Sequence, residues 1–469
     1  GEINRRGYRE GASTVLNSAL TLNWGLDFIT KGLSAKGLVA FDSYASTTRQ
    51  GYRGVNIYAF IVGRNANEES GYSVIRDNQD KSMVLSKSMS THYYTNYQLS
   101  LNYARTFGLH SVTGMLLYQR DNWDKWGADL PYNVIGCVGR VTYDYANRYL
   151  AEFNYGYNGS EQFAKKNRFG SFPAFSLGWV ASNENFLKDN SVLSHLKIRA
   201  SYGIVGNDKL GSARFLYQSF ISMGGGYIPG LGEGQCIVQG RMGNDEIQWE
   251  TAEKKNLGVD IKLFEGLSIN VDVFNEHRDK ILINRSTVPI LQGVPLGNIP
   301  KVNIGVVDNH GYEIELIYQK VINPDFSFSV RGNFCYNKNE VKFSDEVRYG
   351  EEYAYRYRST GFSIAQSFGY QIDYSNGNGY INTQEELDNL PLYEVGGTPR
   401  LGDFKYLDVT GDGKINDKDC VPIGNPKVPR ISYGFSGTMD YKNFDLSFVF
   451  SGIAESSVTH TGWGVTEFG

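Results

Sequence analysis

Residues 149–157 read Tyr149-Leu-Ala-Glu-Phe-Asn-Tyr-Gly-Tyr157, and their side chains alternate in character from one position to the next. The odd-numbered positions are apolar or aromatic, whereas the even-numbered positions include Glu152, Asn154 and Gly156. Successive side chains of a β-strand point to opposite faces of a sheet. This spacing therefore predicts a strand with one apolar face and one polar face.

The same alternation recurs in residues 267–273, 326–336 and 444–451. Many such segments are about nine to eleven residues long, which is the length that a tilted strand needs to cross a bilayer. Strands of soluble proteins usually have about five or six residues. The polar positions that we expect to line a barrel lumen include Glu152, Asn154, Asn270, Asp272, Ser327 and Arg331.

Connections between these segments fall into two classes. Tight turns are predicted at Ala146-Asn147, Glu265-Gly266 and Lys442-Asn443, whereas the connections near 225–245 and 340–430 are long. Outer-membrane barrels have short turns on one side and long loops on the other. With roughly sixteen strands counted by pattern, the sequence predicts an all-β fold, a transmembrane antiparallel β-barrel with long extracellular loops. A large secreted β-sandwich or propeller is the alternative.

Composition supports the all-β prediction and excludes other classes. The 33 Tyr, 26 Phe and 54 Gly against 12 Pro fit many strands joined by turns. With a mean hydropathy of -0.37, no run is long and apolar enough for a membrane-spanning helix. The net charge of -4 without a basic run argues against nucleic acid as a partner. The four Cys are too widely spaced for a zinc site or a disulfide scaffold.

Three segments near the C-terminus carry a family resemblance. They are Tyr406-Leu-Asp-Val-Thr-Gly-Asp-Gly-Lys-Ile-Asn-Asp-Lys-Asp419, Ile423-Gly-Asn-Pro-Lys-Val-Pro429 and Phe444-Asp-Leu-Ser-Phe448. In this order they resemble the SusC-like (SusC/RagA family) TonB-dependent outer-membrane transporters. Further matches are Asn147-Arg-Tyr-Leu150, Phe169-Gly-Ser-Phe-Pro173, Leu196-Lys-Ile-Arg-Ala-Ser-Tyr-Gly203, Trp249-Glu-Thr251 and Asn309-His-Gly-Tyr-Glu313.

The resemblance implies a barrel of about 22 strands with a plug in its lumen. It also implies a Gram-negative outer-membrane location, a TonB-contacting box and a SusD-like surface lipoprotein that acts as a lid. Transporter and lipoprotein would form a dimer of pairs. We expect residues 1–469 to be a fragment of the barrel domain that lacks the plug and the last strands. We expect residues 366–430 to form a long extracellular loop region.

Residues 408–419 have the spacing of a calcium loop. Oxygen ligands would come from side chains at positions 1, 3, 5, 9 and 12 and from a main-chain carbonyl at position 7, with Gly413 at the sharp turn. The predicted ligands are Asp408, Thr410, Asp412, Lys414, Asn416 and Asp419. The sequence thus predicts a structural Ca²⁺, and a metal-free Asp/Gly-rich turn is the alternative.

The same loop region carries a capping box, Thr383-Gln-Glu-Glu386, which predicts a short helix over 383–390. Aromatic faces suit sugar rings or peptides, although loop tyrosines also pack against their own loop. The candidate substrate contacts are Tyr370, Tyr374, Tyr380 and Tyr393. Aromatic residues expected at the membrane interface are Trp24, Trp179, Tyr318 and Phe450.

Catalysis is not indicated, because the six His form no metalloprotease pair and lie beside no nucleophile motif. The sequence predicts TonB-dependent uptake of glycan fragments or oligopeptides together with the SusD-like lipoprotein. Two alternatives stay open. One is a passive porin or adhesin barrel, and the other is a secreted, calcium-stabilised β-protein that binds carbohydrate.

Overall fold

The structure is a computed structural model that describes residues 7–54, 56–61, 71–76, 82–124, 130–188, 190–211, 213–228, 232–264, 266–347, 350 and 358–460. The chain divides into two compact units. Unit 1 comprises Gly1–Tyr103 with Met115–Cys137, and unit 2 comprises Ala104–Gly114 with Val138–Gly469. Among the described residues, no helix is long and apolar enough to cross a membrane.

Unit 1 is built from long antiparallel strands. Its elements are β1 (Gly7–Gly25), β2 (Leu33–Tyr52), the β3 (Ile57–Ile61) and β4 (Gly71–Arg76) hairpin, and most of β5 (Val84–Phe107). Strands β6 (His110–Asp124) and β7 (Tyr132–Tyr145) divide between the two units. β2 pairs with both β1 and β5 in antiparallel ladders.

Unit 2 contains the remaining strands. They are β8 (Tyr149–Ser160), β9 (Phe169–Val180), β10 (Leu193–Asn207), β11 (Ile221–Ile228), β12 (Gly232–Gln239), β13 (Glu250–Leu263), β14 (Leu267–Ile283), β15 (Val302–Asn323), β16 (Phe326–Phe343), β17 (Ser367–Gly369), β18 (Leu392–Tyr393), β19 (Lys414–Ile415), β20 (Val421–Ile423), β21 (Ile431–Tyr441) and β22 (Phe444–Ala454). Its helix α1 is Gln384–Asp388, and 3-10 turns lie at Ala181–Asn183, Ile290–Gln292, Leu296–Asn298 and Asp417–Asp419.

The main sheet of unit 2 runs in the order β8-β9-β10-β13-β14-β15-β16-β21-β22, and every neighbouring pair is antiparallel. The expected strand length of about nine to eleven residues was wrong for most of these strands, because β14 has 17 residues and β15 has 22. Backbone ladders continue past the point where side chains stop alternating, so the pattern marks only the central part of each strand.

The predicted tight turns are confirmed where the structure describes them. Ala146 and Asn147 both have φ of 54° between β7 and β8, and Lys442 has φ of 53° between β21 and β22. At the β13–β14 turn Gly266 has φ of 137°, and a Cβ there would lie 2.2 Å from the Gln319 carbonyl oxygen, so glycine is required. Glu265 lies outside the described residues.

Tight turns and long connections lie at opposite ends of the strands in the unit 2 sheet. The turns join β13 to β14, β15 to β16 and β21 to β22, whereas the connections from β10 to β13 and from β16 to β21 leave the other end. This asymmetry is the one that the sequence predicted for short periplasmic turns and long extracellular loops.

A small core cluster of buried apolar side chains lies at the end of the strands from which the long connections leave. It consists of Phe163, Phe172, Leu210, Leu216, Ile247 and Trp249. The Phe172 ring lies against Gly170 and Gly206, where a Cβ would come within 2.4 Å and 2.1 Å of the Phe172 Cζ atom. The Trp249 indole donates a hydrogen bond to the Arg168 carbonyl at 3.2 Å. These contacts hold the loops at that end of the strands. Most apolar side chains of the strands themselves lie outside this core.

Candidate functional site

One face of the unit 2 sheet carries apolar side chains that remain exposed. Phe153 is 48% exposed, and Leu257 and Val273 are each 54% exposed, although all three lie in the middle of long strands. Contiguous exposed apolar surface of this kind marks contact with a membrane or a partner. On outer-membrane barrels such a face contacts lipid.

The predicted interface aromatics are mostly on this exposed surface. Phe450 is 65% exposed, and Trp179 lies beside the end of β9, where its indole donates to Glu184 at 3.3 Å. Trp24 belongs to unit 1, where it is 62% exposed. Tyr318 packs edge-on against Phe328. Their role at the membrane interface stays a prediction.

The opposite face of the sheet is polar and is crossed by ion pairs between strands. Arg140 on β7 pairs with Glu152 on β8 at 2.9 Å, and Glu152 also accepts a hydrogen bond from Asn154 at 2.7 Å. Glu152 and Asn154 were predicted on the polar face, and the structure places them together there.

At the centre of this face, the Arg199 guanidinium lies between two aspartates. It donates two hydrogen bonds to Asp272 at 2.6 Å each, and its Nε atom donates to Asp260 at 3.1 Å. Arg199 and Asp272 lie on either side of Gly258 in the sheet, and a Cβ on Gly258 would be 2.5 Å from the Arg199 Cζ atom. Glycine at this position lets the guanidinium lie across the middle strand.

A second ion-paired group adjoins the Arg199 group and shares β14 with it. The Arg331 Nε atom donates to Glu315 at 2.7 Å, and the Asn270 amide donates to the same carboxylate at 3.1 Å. These residues come from β14, β15 and β16, so the group joins three neighbouring strands. Together with the Arg199 group it lines a groove of about 890 Å³ on the polar face.

Sequence reasoning placed Asp272, Asn270 and Arg331 on this face but did not identify Arg199 or Gly258. A glycine in the interior of a strand often marks close approach by another group. That signal was present at Gly258, but the partner depends on the register, which the sequence does not show.

Unit 1 has a smaller polar group of the same kind. The Asp121 carboxylate accepts hydrogen bonds from the Tyr94 hydroxyl at 2.5 Å and from the Asn96 amide at 2.6 Å. Asn96 is buried, so the carboxylate supplies an acceptor that its amide requires.

The long connection before β21 folds into a compact local structure over residues 358–430. β17 pairs with β20, β18 pairs in parallel with β19, and Ile381 and Ile415 are fully buried between these pieces. The predicted helix is present as α1, and the Thr383 hydroxyl accepts from the Glu386 amide at 3.2 Å. The predicted capping residue is therefore confirmed.

The loop predicted to bind calcium is held by hydrogen bonds from its own amides. Asp419 is fully buried, and its carboxylate accepts from the amides of Val409, Thr410 and Asn416 at 2.9 to 3.1 Å. The Thr410 hydroxyl also contacts this carboxylate at 3.1 Å. Asp419 therefore has few lone pairs left for a metal ion.

The other predicted ligands point to separate partners. Asp408 accepts from the amides of Gly411 and Gly413, and the Asp412 carboxylate accepts from the amide of Lys414. The Lys414 ammonium and the Asn416 side-chain amide both bind Glu394, at 2.6 Å and 3.1 Å. Within the described ranges, no three His, Cys, Asp or Glu side chains converge as metal ligands. The donor set in this arrangement does not fit a closed calcium cage, and calcium binding remains a prediction.

Electrostatics stabilise the same connection. Asp373 forms an ion pair with Lys405 at 2.8 Å and accepts from the Ser375 amide at 2.9 Å. The Lys405 hydrogen bond, followed by the Ser375 amide, lowers the pKa of Asp373 from 3.8 to about 2. Burial of the Asp408 carboxylate acts to raise its pKa, but the Gly413 and Gly411 amides outweigh it and the pKa of Asp408 is lowered.

The four candidate tyrosines separate into two pairs. Tyr370 and Tyr393 both pack against Tyr406, and the Tyr393 hydroxyl accepts a hydrogen bond from the Tyr406 amide at 2.9 Å. Tyr374 is 64% exposed, and Tyr380 is 42% exposed while stacking on Phe404. Tyr374 and Tyr380 therefore have aromatic surface open to a ligand, whereas the other two hold the loop. Their contact with substrate stays a prediction.

A family model described as TonB dependent receptor-like, beta-barrel matches residues 2–450, and the chain belongs to this family. Strands with one apolar and one polar face, and short turns at one end of the strands with long connections at the other, agree with this family. An outer-membrane β-barrel domain, located in the outer membrane of a Gram-negative cell, is the class that the fold and the family define.

Two curated relatives support the SusC-like resemblance. The chain is 29% identical to TonB-dependent receptor P39 of Formosa agariphila over 422 residues, covering 77% of this chain and 39% of that protein. It is 28% identical to TonB-dependent receptor SusC of Bacteroides thetaiotaomicron over 323 residues, covering 67% of this chain and 30% of that protein. The chain thus spans well under half of the length of these relatives.

Among solved structures, the chain is similar in fold to that entitled "Structure of the RagAB peptide transporter". The TM-score is 0.71 at 16% identity, and the match covers 97% of this chain and 49% of that one. The resemblance to SusC-like and RagA-like barrels that the sequence predicted is confirmed.

Proposed function

We propose that the natural protein is a TonB-dependent importer that carries glycan fragments or oligopeptides across the outer membrane together with a SusD-like surface lipoprotein. The observation that supports it most is the two-faced sheet of unit 2. One face is apolar and exposed, and the other carries ion pairs between Arg199, Asp260 and Asp272 and between Arg331 and Glu315. A polar lumen with fixed charges suits a hydrated nutrient better than it suits a hydrophobic nutrient.

Partners follow from the family. TonB would act through a segment outside residues 1–469, the lipoprotein would sit over the long connections, and transporter and lipoprotein would form a dimer of pairs. Lipid would contact the apolar face. Glycans and peptides are both retained as substrates because one relative is named SusC and one similar structure is titled as a peptide transporter. The named relatives are receptors, and an enzymatic role is not part of the proposal.

The first experiment is to extract the natural protein in detergent without denaturation and to identify by mass spectrometry its true ends and every protein that co-purifies. We expect a longer polypeptide with a plug, accompanied by a lipoprotein in roughly equal amount. Deletion of tonB should then abolish uptake of the nutrient whose import requires this protein, whereas uptake of a porin substrate, the control, should continue.

Two outcomes would contradict the proposal. Uptake that continues without TonB, from a chain that ends at these 469 residues, would favour a passive porin or an adhesin. A protein that is soluble without detergent and purifies alone would favour the secreted, calcium-stabilised carbohydrate-binding protein.

A further inference from the structure

The groove on the polar face of unit 2 contains one carboxylate that its neighbours do not neutralise. Asp260 and Asp272 share Arg199, and Glu315 binds Arg331 and Asn270. Glu313 lines the same groove and is exposed, but no ion pair within the described parts of the chain includes it. Its contact is the Cys335 thiol, whose Sγ atom lies 3.6 Å from the Glu313 Oε1 atom.

The position of Glu313 in the sheet adds to its negative surroundings. Glu313 on β15 lies directly opposite Asp272 on β14, and its neighbour on β16 is Cys335. Like charges directly opposite each other on adjacent strands are destabilising. Arg199 reaches Asp272 from the far side, across Gly258, and is already shared with Asp260. This side of the groove therefore keeps an excess of negative charge.

Among the described residues that line the groove, Lys262 is the lysine or arginine left after Arg199 and Arg331, and it lies too far away to compensate. Lys262 is opposite Ser268, and Ser268 is opposite Ile317, which is four residues along β15 from Glu313. The backbones of Lys262 and Glu313 are thus separated by about 10 Å across the strands and about 13 Å along them. Screening at physiological salt has a length of about 8 Å.

We propose that this groove binds a guanidinium or ammonium group carried by a polypeptide, with Glu313 as its counter-ion. Arg199 and Arg331 hold the carboxylates of Asp260, Asp272 and Glu315 in fixed positions. The Glu313 carboxylate therefore faces the groove and is not drawn into these pairs. A polypeptide side chain fits because the groove extends across six strands and has a volume of about 890 Å³. Binding at this face does not depend on the protein being an importer.

Cys335 supplies a native probe of this site. In the full natural protein in detergent, Cys335 would be modified with two methanethiosulfonate reagents, one carrying trimethylammonium and one carrying sulfonate, and mass spectrometry of the Cys335 peptide would give both rates. Each reagent forms a mixed disulfide with the same thiolate and releases the same sulfinate, so the ratio of the two rates cancels the ionisation of the thiol. Divided by the same ratio measured for a small thiol in solution, which removes the difference in intrinsic reactivity between the reagents, it reports the local charge.

We expect the cationic reagent to be favoured, and Glu313→Gln to lower the ratio by about threefold to tenfold. Glu340→Gln is the matched control, because Glu340 is on the same strand as Cys335 but about 16 Å away along it and pairs with Lys342. This control should leave the ratio unchanged. In the wild-type protein, high salt should lower the ratio, which tests the inference without any variant. A ratio that neither Glu313→Gln nor salt changes overturns the proposal.

Competition tests the polypeptide and its source. If Cys335 reacts, added tetra-arginine should slow its modification and tetra-glutamate should not; equal effects, or none from either, overturn the proposal. If Cys335 is unreactive in the wild-type protein but becomes reactive in Glu313→Gln, a basic segment of the protein itself already occupies the groove, which supports the site. A thiol that is unreactive in both proteins overturns it.

Discussion

Asp272 in the sheet of unit 2 and Asp419 in the 358–430 connection are held by different kinds of partner. Asp272 binds a guanidinium from a strand that lies far away in sequence, whereas Asp419 binds three amides within its own loop. In the sheet, ladders occupy the backbone amides between paired strands, so a carboxylate there is bound by side chains. In the connection, many amides have no ladder partner, and a carboxylate satisfies several of them at once.

Because of this difference, the loss of a carboxylate has different structural consequences in the two regions. Loss of a sheet carboxylate or its guanidinium disturbs the contact between strands. Loss of a loop carboxylate disturbs only the local fold, since each donor to Asp419 lies within ten residues of it.

The largest effect is expected for Asp419→Ala. It leaves the amides of Val409, Thr410 and Asn416 without an acceptor, at about 1 to 3 kcal/mol each, so the loop should lose about 4 kcal/mol of local stability. Hydrogen exchange of these amides measures the loss, while exchange in β10 and β13 should not change. Asp412→Ala is the control, because that carboxylate is exposed and accepts from one amide. Equal effects of the two substitutions would refute the role given to Asp419.

The next effect is expected for Gly258→Ala in the sheet. The new methyl group would lie 2.5 Å from the Arg199 Cζ atom and should displace the guanidinium from Asp272, at a cost of about 2 to 3 kcal/mol in the free energy of unfolding. Gly332→Ala is the matched control, because its Cβ would meet nothing closer than a carbonyl oxygen at 4.0 Å. If Arg199 is the cause, combining Gly258→Ala with Arg199→Met should cost less than the two separate losses added together. Strict additivity would argue against it.

A smaller effect is expected for acid on the Asp373–Lys405 pair. The folded pKa of Asp373 is about 2, below its ordinary value of 3.8. A lowered pKa means that the stabilisation is fully present above the unfolded pKa and is lost as pH falls from about 4 towards 2. The loss should be at most about 2 kcal/mol. Limited proteolysis of the connection across this pH range measures it, and Asp373→Asn should flatten the profile. An unchanged profile in that variant would assign the acid sensitivity to other groups.

The smallest effect is expected for calcium. The amides already bound to Asp408 and Asp419 compete with an ion, so we expect binding no tighter than that of weak extracellular sites, with a Kd of about 1 mM. At about 10 mM calcium the connection would gain about 1.4 kcal/mol. Protection of residues 408–419 from hydrogen exchange, with and without chelator, measures this gain. Protection that rises at micromolar calcium would show that the loop rearranges into a true cage.

Much of the fold could be predicted from the sequence. Alternation at 149–157 and 267–273 predicted the strands and their two faces, and Lys442 and Asn443 predicted a turn that is present. The strand lengths were underestimated, because the ladder of β15 continues through residues whose side chains no longer alternate. The candidate site was predicted in part: Asp272 and Arg331 were placed on the polar face, but their partners were not.

The sequence by itself determined which residues form strands, which face of each strand is polar and which loop carries a cluster of carboxylates, because these follow from local periodicity and spacing. Only the tertiary structure decided that Arg199 crosses Gly258 to reach Asp272, and that Glu313 faces the groove without an ion pair to any described residue. Such pairs depend on the register between strands that are distant in the chain. Register is fixed by the whole ladder of backbone hydrogen bonds, which no single segment contains.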